Sequence, residues 1–301
     1  VPGTREPLHL LGHLVSGSKE NSAALVTNPF YHAWRAGALA SGGEIIYLNS
    51  RADHNFLPDL QALEPATLDR TSILFLCNPT NPQGTVMDLD YLLAALRLAR
   101  AHDFLLVMDE CYSDIWWGSP PTGMMQAAAV LAERDGAYTS HDPLSNLVVL
   151  NSLSKRSGAA GLRAGFMVGD KRVIDHYLKL VSNGGSLVPT PLLSVAADLY
   201  KDEAHVADIR AYYHANFALV KRHLGISPPQ GGFFVWLKVD DDLQFVKRLM
   251  REQAVRALPG SFMGVKTADG NPGAGFVRLA LVHDAKITDE ALGRIAKIYK
   301  S

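Results

Sequence analysis

The 301-residue sequence predicts an α/β fold, with a mostly parallel sheet sandwiched by helices and a smaller α+β domain at the C-terminal end. Apolar strand-like runs, among them Ile73–Cys77 and Phe104–Met108, alternate with amphipathic helical patterns, which is the order that a parallel sheet requires. From Asp202 onward the pattern changes to one long helix and then to strands of antiparallel character. We therefore divide the chain into a large domain, residues 1–205, and a small domain, residues 206–301.

The composition indicates a protein that works on small molecules. The hydrophobic share is 48% and the net charge is −1, from 29 Lys and Arg against 30 Asp and Glu. Charges are spread along the sequence, so nothing favours nucleic acid as a partner, and no apolar run has the length of a membrane span. Two cysteines suit a reducing, cytoplasmic location. We expect small-molecule substrates, further copies of the chain and no metal.

The first element is a helix that follows the turn Gly3-Thr4. Leu8, Leu11 and Val15 recur at helical spacing after this turn. The N–H groups at such a helix start attract phosphate, although an ordinary helix start fits the same residues.

A strand over Ala23–Val26 and a helix over His32–Ser41 come next, and the helix ends at Gly42-Gly43. Tyr31 lies between strand and helix. Its ring could stack on a planar ligand, and ordinary core packing is the equal alternative.

Ile45–Leu48 and Ile73–Cys77 are the next predicted strands, and the second runs into the loop NPTNPQG. Two Asn-Pro pairs restrict this loop, because the residue before proline avoids the helical region and the bond to proline can be cis. The loop holds Asn81 at the carboxyl end of a strand, where open α/β sheets bind ligands. Asp88 then caps a helix that begins near Leu89.

The strand Phe104–Met108 leads directly to Asp109. A carboxylate at the end of a buried strand needs a partner, so Asp109 is either half of a structural ion pair or a ligand group. Tyr112, three residues later, could present its hydroxyl at the same place. An irregular segment, residues 133–146, precedes the next strand.

Lys155 follows the strand Leu147–Leu150 in a short loop, with Ser152 before it and Arg163 after it. The returning strand is Ala164–Val168. A lysine held near a guanidinium has a lowered pKa and could form a Schiff base with a carbonyl, while Arg163 offers a fork for phosphate. A surface lysine in a polar loop is the alternative.

A long helix, Ala204–Leu224, connects the two domains, and the predicted small domain contains two apolar strands near 231–237 and 275–281. Arg278 lies inside the second strand. A charge is costly there unless it meets an anionic ligand or a structural carboxylate, and both remain open.

In this order and spacing, the motifs NPTNPQG, DECYSD, SLSKRSGAAGLRAG and GFVRLA resemble those of the class I/II aminotransferases, enzymes of pyridoxal-phosphate fold type I. The resemblance covers nearly the whole chain. It implies pyridoxal 5′-phosphate as the cofactor and Lys155 as the catalytic Schiff-base lysine. It also implies a homodimer.

The resemblance also implies a role for each remaining candidate. Gly3, Thr4, Ser152 and Arg163 would bind the phosphate, Asp109 the pyridine nitrogen, and Asn81 and Tyr112 the ring oxygen. Tyr31 would stack on the ring, and Arg278 would bind the substrate α-carboxylate.

Within the family, segments such as GTREPLHL and NPGAGFVRLALV are most similar to N-succinyldiaminopimelate aminotransferases. This implies transfer between N-succinyl-2-amino-6-oxopimelate and glutamate in lysine biosynthesis. Other aminotransferases (aspartate, aromatic, histidinol phosphate) and pyridoxal-phosphate β-lyases remain alternatives, and a ligand-sensing module would need a DNA-binding segment. Family chains begin upstream of the Gly-Thr turn, so we expect an N-terminal segment of the small domain to be missing here.

Overall fold

The computed structural model describes residues 1–134 and 142–300. Residues 135–141, within the segment predicted to be irregular, lie outside the described residues. The helices are α1 (Arg5–Leu14), α2 (His32–Ala40), α3 (Pro65–Arg70), α4 (Leu89–Ala101), α5 (Met124–Arg134), α6 (Leu153–Arg156), α7 (Lys171–Gly184), α8 (Thr190–Lys201), α9 (Ala204–Leu224), α10 (Asp242–Gln253) and α11 (Ala285–Tyr299). The strands are β1 (Ala23–Asn28), β2 (Glu44–Asn49), β3 (Thr71–Cys77), β4 (Leu105–Asp109), β5 (Leu147–Ser152), β6 (Gly165–Gly169), β7 (Phe234–Lys238), β8 (Leu258–Pro259) and β9 (Phe276–Ala280).

The large sheet has the strand order β2-β1-β3-β4-β5-β6. Its neighbours are parallel from β2 to β5, and β6 is antiparallel to β5 at the edge. Strands β1, β3, β4 and β5 are buried along their whole length, as their unbroken apolar sequences predict. The predicted mostly parallel sheet is confirmed. A second sheet, β7-β9-β8, is antiparallel, also as predicted.

Helices cover both faces of the large sheet, which produces two separate apolar clusters. One face packs against α4 and α5 through residues such as Leu92, Leu96 and Leu131. The other packs against α1 and α2 through Leu8 and Trp34, among others. Each strand therefore loses apolar surface to solvent on both sides, which is the dominant favourable contribution to folding.

A third cluster joins the C-terminal half of α9 to the second sheet and α11, through residues such as Phe217, Leu237 and Ile295. The observed bounds of α9 match the prediction. The helix ends at Leu224 because Gly225, directly after it, adopts a left-handed conformation (φ +72°). The cap on α4 also matches, since Asp88 Oδ1 accepts from Tyr91 N at 2.8 Å.

The segment around Lys155 differs from its prediction as a loop. Residues Leu153–Arg156 form the single-turn helix α6, and Ser152 caps it by accepting from Ser154 N at 3.1 Å. One turn is too short for any helical spacing to show in the sequence. Arg163 follows in a left-handed conformation, φ +51°, two residues before β6 begins at Gly165.

Candidate active site

A cavity of about 580 Å³ lies at the carboxyl ends of the large-sheet strands, where it also meets the second sheet. The candidates that line it are Thr4, Tyr31, Asn81, Asp109, Tyr112, Lys155, Arg163 and Arg278. Gly3 and Ser152 are not among the residues that line it. Asn81, Asp109 and Lys155 come together because they follow or end β3, β4 and β5, parallel strands that all finish at one edge of their sheet.

Asp109 is the last residue of β4 and is 3% exposed. Its hydrogen-bond donors are neutral: the Trp34 indole nitrogen lies 3.1 Å from Oδ2, and the Cys111 backbone nitrogen lies 3.2 Å from Oδ1. Burial raises the pKa of Asp109, although these hydrogen bonds and the nearby Lys155 oppose the increase. The carboxylate would therefore gain from a cationic ligand placed beside it.

Asn81, Tyr112 and Arg278 form one polar chain across the cavity. Asn81 Nδ2 donates to the Tyr112 hydroxyl at 3.4 Å, and Arg278 Nη1 donates to Asn81 Oδ1 at 3.2 Å. The Arg278 guanidinium also lies 4.4 Å from the centroid of the Phe234 ring. These contacts join a loop of the large sheet to β9, and they leave the charge of Arg278 facing neutral groups.

Lys155 projects from α6 into the cavity, with Nζ 5.3 Å from the centroid of the Phe233 ring. Burial lowers its pKa, and Arg278 lowers it further, while Cys111 and Asp109 oppose the change. The lowered pKa of Lys155 agrees with the sequence prediction. The guanidinium that contributes to it differs from the predicted one, because it belongs to Arg278 in the second sheet and not to Arg163.

Arg163 and the Gly3-Thr4 turn meet at the start of α1. Arg163 Nη2 donates to the Pro2 carbonyl at 2.9 Å, and a Cβ added at Gly3 would lie 2.4 Å from the same nitrogen. Gly3 has φ +69°, a conformation that side chains other than hydrogen disfavour. The Arg163 guanidinium therefore packs directly on the Cα of Gly3, and together with the N–H groups that begin α1 it forms a positive region suited to an anion.

Ser152 is directed into the protein. Its hydroxyl lies 3.2 Å from the Ala164 carbonyl and 2.9 Å from Ser154 Oγ, and it is 1% exposed. Ser154, which the sequence analysis did not single out, lines the cavity instead. Phosphate binding by Ser152 remains a prediction.

Tyr31 is the residue before α2, and it lines the cavity together with Phe233 and Phe234. Its hydroxyl accepts from Arg5 Nε at 3.2 Å, and its ring meets that of Trp34 edge-on at 5.9 Å. These two contacts hold the ring at the wall of the cavity.

Residues 8–295 match the family "Aminotransferase class I and II". The chain belongs to this family. An aminotransferase structure from Neisseria meningitidis is 35% identical and superposes with a TM-score of 0.90, covering 99% of this chain and 75% of its own. A structure of a probable N-succinyldiaminopimelate aminotransferase from Thermus thermophilus is 27% identical, with a TM-score of 0.78 over 99% of this chain and 77% of its own.

Among curated relatives, a probable aminotransferase of Mycobacterium tuberculosis is 28% identical over 300 residues, which cover 98% of this chain and 65% of the relative. An LL-diaminopimelate aminotransferase of Dehalococcoides mccartyi is 28% identical over 286 residues, which cover 91% of this chain and 68% of the relative. The chain therefore spans about two thirds of the length of these relatives.

Class I and II aminotransferases use pyridoxal 5′-phosphate, and the residues present fit that group. Arg163 and the N–H groups at the start of α1 can bind the phosphate, and the buried Asp109 carboxylate can pair with a protonated ring nitrogen. The half-buried Lys155 amine lies in the same cavity. Each requirement of the cofactor meets a group of the matching chemistry.

Sequence reasoning did not identify four contacts that shape the site. Trp34 donates to Asp109, Cys111 Sγ lies 3.3 Å from Thr4 Oγ1, and Phe233 and Phe234 contact the two cations. Trp34 lies on the apolar face of α2, and Phe233 and Phe234 belong to an ordinary strand pattern. No local signal distinguishes these residues from core, because their partners are distant in sequence.

Proposed function

We propose that this protein is a pyridoxal-phosphate-dependent aminotransferase that moves an amino group between an amino acid and a 2-oxo acid. The observation that carries the proposal is the shared cavity of Lys155, Asp109 and Arg278. These residues supply an amine of lowered pKa, a buried carboxylate and a half-buried guanidinium, which together match an amino-acid substrate and the cofactor.

We assign the cofactor phosphate to Arg163, Ser152 and the turn Gly3-Thr4. The geometry of Arg163 beside Gly3 supports this assignment, and for Ser152 the support is its place as the cap of α6.

The ring of the cofactor would lie between these groups and β4. Asp109 would pair with its nitrogen, Asn81 and Tyr112 would bind its oxygen, and Tyr31 would stack on it. The bound cofactor supplies an electron-accepting ring that stabilises negative charge at the substrate α-carbon.

The remaining steps belong to the side chains. Arg278 binds the substrate α-carboxylate by paired N–H donors and so directs the α-hydrogen toward Lys155. Burial, and then Arg278, lower the pKa of the Lys155 amine, which favours the neutral form that a general base requires. Lys155 Nζ would take the proton from the α-carbon and then, as a general acid, donate it to the cofactor and not back to the substrate, which is the proton shift that amino transfer requires.

For the substrate, we propose N-succinyl-2-amino-6-oxopimelate with glutamate as amino donor, in lysine biosynthesis. The Thermus thermophilus structure supports the succinylated substrate, while the Dehalococcoides mccartyi relative favours unsuccinylated LL-diaminopimelate. Both compounds carry a diaminopimelate skeleton. The relatives' names alone do not separate them at 27% and 28% identity.

We further propose a cytoplasmic homodimer in which residues 1–205 form the large domain and residues 206–301 the small one. The described residues contain no helix able to cross a membrane. Both cysteines are free and buried, which suits a reducing compartment. The separate cluster of α9, α11 and the second sheet supports the domain division.

The deciding experiment follows glutamate formation by the full-length protein with pyridoxal phosphate and 2-oxoglutarate. The donors are N-succinyl-LL-diaminopimelate, LL-diaminopimelate, aspartate, phenylalanine and histidinol phosphate. We expect the highest kcat/KM with the succinylated donor. A higher value with another donor would reject that substrate but keep transamination, whereas ammonia release without an oxo acid would indicate a lyase.

A further inference from the structure

His9 and His13 form an exposed pair of imidazoles on α1, away from the cavity lining. They are four residues apart and therefore lie on one face of the helix, one turn from each other. Their Nε2 atoms are 3.4 Å apart, with ring centroids at 4.9 Å and an interplanar angle of 86°. At this distance the two nitrogens form a hydrogen bond with each other, although both rings are exposed to water.

This separation suits a shared metal ion. Zinc binds imidazole nitrogen at 2.0–2.1 Å, so two ligands at a tetrahedral angle lie about 3.3–3.4 Å apart. Because both side chains are exposed, small rotations of the rings can direct both lone pairs at one point without disturbing the core. The backbone needs no movement, since it already places the nitrogens at the required distance.

The second nitrogen of His9 is also placed as a metal ligand requires. His9 Nδ1 lies 3.4 Å from the Ala36 carbonyl of α2. A carbonyl can only accept, so an N–H at Nδ1 satisfies this contact and leaves Nε2 as the lone-pair nitrogen. Metal-binding histidines commonly have such an outer partner, which selects the tautomer and orients the ring.

We propose that His9 and His13 bind a divalent ion of the nitrogen-preferring class, with Zn²⁺ as the matching probe. Among the described residues, no group of three or more His, Cys, Asp or Glu side chains could hold a metal. The ion therefore has two protein ligands, and water completes its coordination, which makes it exchangeable. Mg²⁺ prefers oxygen ligands and does not occupy the site.

The ion would connect one turn of α1 to the next on its solvent side. The same helix begins at the Gly3-Thr4 turn, and its residue Arg5 lines the cavity. Because the unfolded chain lacks this pre-arranged pair, bound Zn²⁺ stabilises the folded state and raises the melting temperature as its concentration increases.

Calorimetric titration of Zn²⁺ into the full-length protein without a polyhistidine tag tests this site. Four proteins are compared: the native chain, His9→Asn, His13→Asn and His176→Asn. His176 is the matched control, because it is an exposed histidine on α7 whose Nδ1 lies 2.7 Å from the Arg172 carbonyl. We expect one saturable site per chain in the native protein and the control.

Removal of either ligand should weaken Zn²⁺ binding by more than about tenfold, the lower limit for losing even a supporting partner of a ligand. The zinc-dependent rise in melting temperature should disappear in parallel. If His9→Asn alters folding through the lost Ala36 contact, His13→Asn decides. Equal affinity in the native chain and His13→Asn, or no saturable binding by the native chain, would overturn the proposal.

Discussion

Arg278 and Asn81 are 197 residues apart in the chain, yet Arg278 Nη1 donates to the Asn81 amide oxygen at 3.2 Å. The bond links the second sheet to the loop that follows β3. The Arg278 guanidinium is half-buried, and this burial lowers its pKa. An incoming carboxylate would therefore meet a cation that is already positioned by a neutral partner.

Replacement of Arg278 by glutamine tests this relationship. Hydrogen bonds to a charged group are worth about 1.5–3 kcal/mol, so kcat/KM for the amino-acid donor should fall about 10- to 100-fold, mainly through KM. Arg251→Gln, at an exposed position of α10, should change little. Steady-state kinetics provide the measurement, and an equal loss with an amine that lacks the α-carboxylate would contradict the assignment.

Lys155→Ala should remove both the covalent attachment of the cofactor and the proton transfer at the substrate α-carbon. Proton transfer alone contributes about 10²- to 10⁴-fold, so turnover should fall at least that far. The visible absorbance of the purified protein with pyridoxal phosphate should change as well. Lys171→Ala, which alters an exposed lysine at the start of α7, is the control. Unchanged absorbance and turnover in Lys155→Ala would reject the cofactor assignment.

Gly3→Ala should weaken binding of pyridoxal phosphate. The added methyl group would lie 2.4 Å from Arg163 Nη2 and would displace the guanidinium that we assign to the phosphate. Gly118→Ala separates this clash from backbone strain, because Gly118 also has a positive φ (+81°) but nothing within 4 Å of its would-be Cβ. Fluorescence titration with the cofactor should show a higher Kd only for Gly3→Ala. Similar increases in both variants would argue against a phosphate at the turn.

Glu110 should make folding less favourable as pH rises. Burial raises the pKa of this carboxyl from 4.5 to about 7, and Asp109 and Asp114 add to the increase against the opposing Met124 N–H. Between these two pH values the folded state retains a proton that the unfolded state has lost. Stability therefore falls across this interval, by about 3 kcal/mol at most.

Glu110→Gln should remove that pH dependence, since an amide oxygen can still accept from Met124 N. Urea unfolding at pH 4.5 and above pH 7 gives the free energies of unfolding of both proteins. The advantage of the variant should be small at the lower pH and larger at the higher one. A difference that is constant with pH would contradict the buried-carboxyl explanation.

Arg156 should contribute to the stability of the folded state, because its buried guanidinium donates to three acceptors. It is 4% exposed and donates to Asp114 at 2.9 Å, Glu203 at 2.6 Å and the Tyr200 carbonyl at 3.1 Å. Arg156→Met leaves these acceptors without their donor, and the free energy of unfolding should fall by about 3 kcal/mol. Arg134→Met, in an exposed pair with Asp90, should cost under about 1 kcal/mol. Equal urea unfolding midpoints for the native protein and Arg156→Met would contradict this prediction and would show that water replaces the hydrogen bonds of Arg156.

Much of the fold was predictable because its signals are local. The apolar runs of β3, β4 and β5 and the left-handed Gly225 after α9 identify elements from neighbouring residues alone. The one-turn helix α6 was not predictable, since four residues cannot display a helical period. Its formation depends on the Ser152 cap and on packing in the folded chain.

By itself, the sequence determined a set of candidate residues, and its apolar runs predicted that Asn81, Asp109 and Lys155 follow the ends of strands. Only the tertiary structure decided their environments. Trp34 reaches Asp109 across 75 positions, and the pKa of Lys155 is lowered by burial and then by Arg278 of the second sheet, not by the nearby Arg163. Burial and charge depend on which distant segments exclude water from a group, and local sequence spacing does not contain that information.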